Sequence, residues 1–182
     1  MKQPCQIVGF LMIATMLLTG CGGLQPSASK GGKKLYEQYF IGTKGSMFFI
    51  KPLSFQSDDG RNASLDITFT NRDIQSDTAV VNISFTSNVK GDPTSLLLNS
   101  ISGQKSVDLE ILDMFFIERE KDDFKYRYSS RTDLKDMDEL FRSGPFVLIM
   151  SQGPDQSISY SPTKRTEQSI DRLVFSVFDL LR

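Results

Sequence analysis

Two segments of the chain alternate strictly between apolar and polar residues. Residues 65–70 read Leu-Asp-Ile-Thr-Phe-Thr, and residues 81–86 read Val-Asn-Ile-Ser-Phe-Thr. Side chains of a β-strand point alternately to its two faces, so this pattern predicts two antiparallel strands with one buried face each. Because the segments are alike and close in sequence, we expect them to be neighbours in one sheet.

Shorter apolar or alternating stretches predict further strands. They lie at residues 47–55, 95–101, 107–117, 124–128, 146–150 and 158–160, and residues 35–40 fit either a short helix or a first strand. Pro52 has no backbone N–H to donate, so the strand that contains it is expected at a sheet edge or bent at that point. The segment around residue 124 is expected to return as the second strand of a long hairpin.

The alternation changes phase within residues 107–117. Val107, Leu109 and Ile111 alternate with acidic residues, but apolar residues then occupy both faces from Leu112 to Ile117. A β-bulge near Asp113 explains this change, because one extra residue shifts the phase of a strand. A strand covered on both faces explains it equally well.

Two helices are predicted in the last third of the chain. Residues 133–143 place Leu134, Met137, Leu140 and Phe141 on one face, and Gly144 with Pro145 ends the helix. The last helix is expected to open at Ser161 and Pro162, and its apolar stripe comprises Ile170, Leu173, Val174, Val177, Phe178 and Leu181. The predicted fold is therefore α+β: an antiparallel sheet of about six to eight strands with both helices packed on it. A β-sandwich with peripheral helices is the alternative.

Composition restricts the chemistry. The chain of 182 residues has no histidine, 21 basic and 22 acidic residues, and a net charge of −1. Catalysis by Ser-His-Asp or Cys-His and histidine metal sites are excluded, and we expect neither a cofactor nor nucleic-acid binding. Gly-x-Ser-x-Gly is absent, and Ser-x-x-Lys spacings occur without the other elements of a serine-lysine enzyme. A hydrolase without histidine is the remaining enzymatic alternative, and we expect a protein that is not an enzyme.

The amino terminus carries a recognisable motif. An uncharged apolar run at residues 7–18 is too short to cross a bilayer comfortably and suits the apolar region of a secretory signal. It is followed by Leu18, Thr19, Gly20 and Cys21, which resemble the lipobox of bacterial lipoproteins. The resemblance covers residues 1–21 only.

This resemblance implies cleavage before Cys21 and attachment of a diacylglyceryl group and an N-acyl chain to that cysteine. Two or more chains anchor a protein firmly in a bilayer. The implied organisation is a signal peptide at residues 1–20, a lipidated cysteine with a flexible tether at residues 21–34, and one globular domain at residues 35–182. Gly22 follows the cysteine without an acidic run, so we expect an outer-membrane protein that faces the periplasm.

The candidate binding residues in the body are aromatic. Phe124, Tyr126, Tyr128, Phe175 and Phe178 are the candidates for an apolar ligand face. Aromatic residues at alternate positions of a strand more often form part of the core. The oxygen-rich turn at residues 58–62 lacks the spacing of a calcium loop. We therefore expect a membrane-anchored module that binds another envelope protein or supports an assembly; the alternative is a carrier of a lipid or other apolar molecule held between the sheet and the last helix.

Overall fold

The computed structural model describes residues 34–42, 45–71, 77–153 and 156–181. Lys34–Arg182 forms one compact unit. The elements in chain order are β1 (Tyr36–Phe40), β2 (Ser46–Ser57), β3 (Asn62–Asn71), β4 (Thr78–Ser87), β5 (Ser95–Ser100), β6 (Ser106–Asp108), β7 (Glu110–Glu120), β8 (Asp123–Asp133), α1 (Leu134–Arg142), β9 (Phe146–Ser151), β10 (Ser157–Pro162), α2 (Lys164–Ser176) and a final 3-10 helix (Phe178–Leu181).

The described strands form a single ten-stranded antiparallel sheet. Its order is β6–β5–β9–β10–β2–β3–β4–β8–β7, and β1 pairs with part of β2. Leu109 alone separates β6 from β7, and its N–H donates to the carbonyl of Leu96 in β5 at 2.9 Å. The chain therefore passes from pairing with β5 to pairing with β8, and the sheet nearly closes on itself.

The α+β class is confirmed, but the predicted number of strands was too low. One additional strand is β1, with 5 residues, where the sequence fitted either a helix or a strand. The other is β6, with 3 residues, which Leu109 separates from β7 within the segment predicted as one strand. Strands this short carry too little alternation to be distinguished in sequence. The observed architecture is also one curved sheet rather than the alternative sandwich of two.

The two alternating segments form β3 and β4 and are direct neighbours, as predicted. Leu65 lies opposite Ile83, and Ile67 lies opposite Val81. The alternating apolar residues of both strands are buried, which explains their period of two.

Pro52 lies at a bend inside a central strand, so the edge alternative was wrong. One side of β2 pairs with β1 up to Ile50 and with β10 from Phe55, while the register with β3 shifts between Ile50 and Leu53. Proline therefore occupies the position where β2 changes partner, and its missing N–H interrupts no ladder there.

Helix α1 matches the predicted helix, whereas the start of α2 was placed too early. Ser161 and Pro162 still pair with β2 as the end of β10. Thr163 caps α2 by accepting a hydrogen bond from the Thr166 N–H through its side chain. The apolar stripe then continues from α2 into the 3-10 helix, because the α-helix ends before Val177.

A chain of aromatic rings connects the helices with the sheet. Phe178 of the 3-10 helix packs against Phe141 of α1 at a centroid distance of 4.7 Å and against Phe69 of β3 at 6.1 Å. Phe141 in turn packs against Phe146 of β9 at 5.4 Å. The helices thus complete the core that the curved sheet encloses.

Candidate functional site

The aromatic stripe of β8 lies inside the molecule. Tyr126 and Tyr128 are buried, and Phe85 of β4 stacks on them at centroid distances of 5.1 and 6.0 Å. Phe124 is partly buried and packs beside Tyr126 at 6.4 Å. These rings contact one another and form part of the core.

The segment between β4 and β5 covers the two tyrosines. The hydroxyl of Tyr126 donates to the Val89 carbonyl at 2.8 Å and accepts from the Gly91 N–H at 3.0 Å. The hydroxyl of Tyr128 donates to Asp92 at 2.7 Å. Burial, together with this hydrogen bond, raises the pKa of Tyr128 well above its usual value, so the phenol remains a neutral donor. Both hydroxyls serve to attach this segment to the sheet.

The other two residues of the predicted ligand face lie elsewhere. Phe178 is fully buried between α1 and the sheet, and the side chain of Phe175 is on the outside of α2 with 75% of its surface exposed. The structure therefore does not bring the five predicted residues together around one space. Phe175 was misassigned because the helix turns it away from the buried apolar stripe that includes Phe178 and Leu181.

An exposed apolar surface is present on β7. We call it the β7 edge, defined by Leu112, Met114, Phe115, Phe116 and Ile117, whose side chains are all exposed by more than a third. From Ile111 onward β7 pairs with β8 only, and it ends the sheet order among the described strands. Backbone groups on its other side therefore have no strand partner within the described part of the chain.

Two bulges explain the change of phase seen in the sequence. The register between β7 and β8 shifts between Ile111 and Asp113 and again between Met114 and Phe116, which leaves Leu112 and Phe115 as the extra residues. The predicted bulge near Asp113 is thus confirmed, and a second one follows. The competing interpretation, a strand covered on both faces, was wrong, since these side chains are exposed.

The same four residues occur a second time in a buried setting. Residues 47–50 and 114–117 both read Met-Phe-Phe-Ile. In β2 the copy pairs with β1 on one side and β3 on the other, and Phe48 and Ile50 are buried. In β7 the copy pairs with a described strand on one side only, and 57% of Phe115 is exposed. The β7 edge therefore carries the same side chains as the central strand β2, although β7 lies at the end of the described sheet order.

Two carboxylates border the exposed copy. Asp113 precedes it and Glu118 follows it, and neither forms an ion pair within the described residues. The neighbouring Glu110, by contrast, is held by Arg131 of β8 at 2.7 Å. The bulge at Phe115 shifts the phase of β7 by one residue. As a result, the outward-facing residues of β8 lie opposite Asp113, Phe116 and Glu118, and these three residues share the outer face of the sheet. This arrangement places an apolar segment between two negative charges.

Sequence reasoning identified the apolar run but missed its role as a surface. The repeated tetrapeptide and its acidic borders were the available signal. The predicted lipidation residues Leu18, Thr19, Gly20 and Cys21 lie outside the described residues.

The oxygen-rich turn at residues 58–62 is held by its own hydrogen bonds. In the turn at residues 58–62, Asp59 accepts from the Ser57 hydroxyl at 2.5 Å and pairs with Arg61, so it is engaged within the turn. Among the residues that the structure describes, no group of three acidic or cysteine side chains is arranged to hold a metal ion. No described helix has both the length and the apolar character needed to cross a membrane.

No protein-family description, no curated protein and no solved structure matches this chain.

Proposed function

We propose that this chain is a lipid-anchored protein of a bacterial envelope whose folded body binds another envelope protein and catalyses no reaction. The β7 edge carries the proposal. Exposed apolar residues on an unpaired strand promote contacts with other chains, and natural proteins usually protect such edges. A strand that keeps this edge exposed is most simply explained by a partner that covers it.

The amino-terminal motif supports the anchor. Leu18, Thr19, Gly20 and Cys21 resemble a lipobox directly after an apolar run of suitable length. Acyl chains on Cys21 would hold the body at a membrane surface, and Gly22 favours the outer membrane with the body in the periplasm. The anchor and the β7 edge together describe a protein that meets its partner at the membrane.

The carrier alternative has less support from the packing. A carrier needs space for a ligand beneath the last helix. That space is taken by Phe178, which contacts the rings of Phe141 and Phe69. Phe124, Tyr126 and Tyr128 are likewise packed within the core.

Substitution of the cysteine tests the anchor. In cells that are fed a clickable palmitate analogue, we expect Cys21→Ser to abolish labelling and to move the protein out of the membrane fraction, because the acyl chains supply the membrane affinity. Gel fluorescence and fractionation measure both effects. A Cys5→Ser variant is the matched control and should remain labelled. If Cys21→Ser retains label and membrane association, the anchor proposal is wrong.

Photo-crosslinking in intact cells tests the binding surface. We expect a benzoylphenylalanine at position 115 to form a protein adduct of one discrete size, because Phe115 lies on the β7 edge. The same group at position 175 is the control, since Phe175 is more exposed but lies on α2. Immunoblots and mass spectrometry identify the adducts. Equal adduct patterns at both positions, or none at position 115, would contradict a binding role of the β7 edge.

A further inference from the structure

The backbone of the β7 edge indicates how a partner would bind. From Ile111 onward, one backbone edge of β7 has no partner among the described strands, so a second extended segment can add to it as a further strand. The copy of the tetrapeptide in β2 shows the completed arrangement within this same molecule, because β1 pairs along its free side. Main-chain hydrogen bonds would then replace contacts with water, and the added side chains would cover Met114, Phe116 and Ile117.

The charges decide what kind of segment fits. Asp113 and Glu118 lie on the outer face at the two ends of the apolar copy, without ion-pair partners among the described residues. On β8, Ser129 lies opposite Asp113 and Lys125 lies opposite Glu118. These two β8 residues are four positions apart, so a strand without a bulge spans the distance between the two carboxylates in four residues. An added antiparallel strand would place residues i and i+4 beside Glu118 and Asp113. Basic residues at those two positions complement both carboxylates.

A second copy of the same chain fits poorly. Antiparallel pairing of two β7 edges about the apolar residues would bring Asp113 of one copy near Glu118 of the other at both ends. Parallel pairing in register would place each carboxylate beside its own equivalent. Like charges opposite each other destabilise a strand pair.

A membrane surface also fits poorly. Segments that insert into bacterial membranes combine apolar residues with a basic face, because the lipid surface is anionic. The β7 edge instead combines its apolar residues with Asp113 and Glu118. Its charge favours a basic polypeptide over a lipid.

We infer that the β7 edge binds an extended apolar segment of another polypeptide that carries basic residues four positions apart, by strand addition. This inference rests on the proposed binding function and specifies its partner chemistry. The added strand runs antiparallel to β7, its two basic residues lie beside Glu118 and Asp113, and an apolar residue between them covers Phe116.

A peptide designed to this pattern tests the inference. The probe is a fluorescein-labelled peptide, Thr-Lys-Val-Phe-Val-Lys-Thr. Its controls are the same peptide with both lysines replaced by glutamate and one with all five central residues N-methylated, so that neither edge of the peptide keeps its central N–H donors. Binding is measured by fluorescence anisotropy with the detergent-extracted product of the full-length gene. We expect the lysine peptide to bind about tenfold more tightly than the glutamate peptide, and the N-methylated peptide to lose binding because it cannot form the ladder.

Charge reversal on the protein provides the reciprocal test. The double variant Asp113→Lys/Glu118→Lys should reverse the preference, so that the glutamate peptide binds more tightly. The control Asp58→Lys/Asp171→Lys changes the net charge equally at exposed positions outside β7 and should keep the original preference. Phe116→Ser should weaken all peptide binding, whereas Phe175→Ser should leave it unchanged.

Several results would overturn the inference. They are equal affinities for the lysine and glutamate peptides, no saturable binding below about 1 mM, and unchanged binding of the N-methylated peptide. A dimer that dissociates on Phe116→Ser in analytical ultracentrifugation would instead identify a second copy as the occupant. Flotation of Cys21→Ser protein with phosphatidylglycerol vesicles, lost on Phe116→Ser, would identify the membrane. A discrete adduct at position 115 together with a failed peptide test would leave the binding function standing and reject only this partner chemistry.

Discussion

Truncation of Phe178 to alanine is expected to cost about 3–5 kcal/mol of unfolding free energy, the usual range for a buried phenylalanine. Its ring is fully buried and joins the packing of α1, the 3-10 helix and β3 through Phe141 and Phe69. Removal leaves a cavity where three elements meet, and none of them can close it without moving away from the others. Urea unfolding followed by circular dichroism, with a shortened chain that begins at Lys30, measures the loss.

Phe175→Ala is the matched control for this substitution. It removes the same ring from a site three residues earlier that is 75% exposed, so the change should stay within about 0.5 kcal/mol. A small loss for Phe178→Ala, accompanied by new or altered binding of an apolar dye, would speak for a ligand space and revive the carrier alternative.

Replacement of Arg127 by methionine is expected to cost about 3 kcal/mol. On the outer face of the sheet, Arg127 of β8 donates to Asp66 of β3 at 2.9 Å and to Ser84 of β4 at 2.8 Å. Asn82 donates to the other carboxylate oxygen of Asp66 at 2.8 Å. The side chain of Asp66 is only 5% exposed, so loss of Arg127 leaves a buried negative charge with one side-chain donor.

The two partners of this ion pair should respond unequally. Asp66→Asn leaves Arg127 with a side chain that is 30% exposed and reaches water, so we expect a smaller loss, about 1–2 kcal/mol. Lys125→Met, on the same strand and face but without an ion pair among the described residues, should change stability by less than about 0.5 kcal/mol. Equal losses for Arg127→Met and Lys125→Met in urea unfolding would show that the buried pair contributes nothing to stability.

The predicted strands and helices were those whose pattern is local. Residues 65–70 and 81–86 alternate over enough positions to specify a strand and its buried face, and the helix around Met137 has both a stripe and a stop signal. Boundaries were less accurate: Pro162 suits the first turn of a helix, but its pairing with Phe55 keeps it in β10. That pairing joins residues far apart in sequence, and no local pattern contains it.

The candidate ligand face failed for a similar reason. Phe124, Tyr126 and Tyr128 share a face because they occupy every second position of one strand, and the sequence was sufficient to predict that. Whether Phe175 and Phe178 face the same space depends on where the last helix ends and on which strands it packs. Both depend on tertiary packing, since the α-helix ends before Val177 and Phe178 turns inward from a 3-10 helix.

The repeated tetrapeptide separates what the sequence alone determined from what the tertiary structure decided. Composition and local pattern determined the α+β class, most of the strands and both helices, and they left a bulge near Asp113 as one of two explanations of the phase change. They could not distinguish residues 47–50 from residues 114–117, since both read Met-Phe-Phe-Ile and both form strands. Only the strand order did so: among the described strands it places β2 between neighbours on both sides and leaves β7 with β8 as its single neighbour. Strand order arises from contacts between distant parts of the chain, and those contacts determine whether an apolar strand is buried as core or exposed as a surface for a partner.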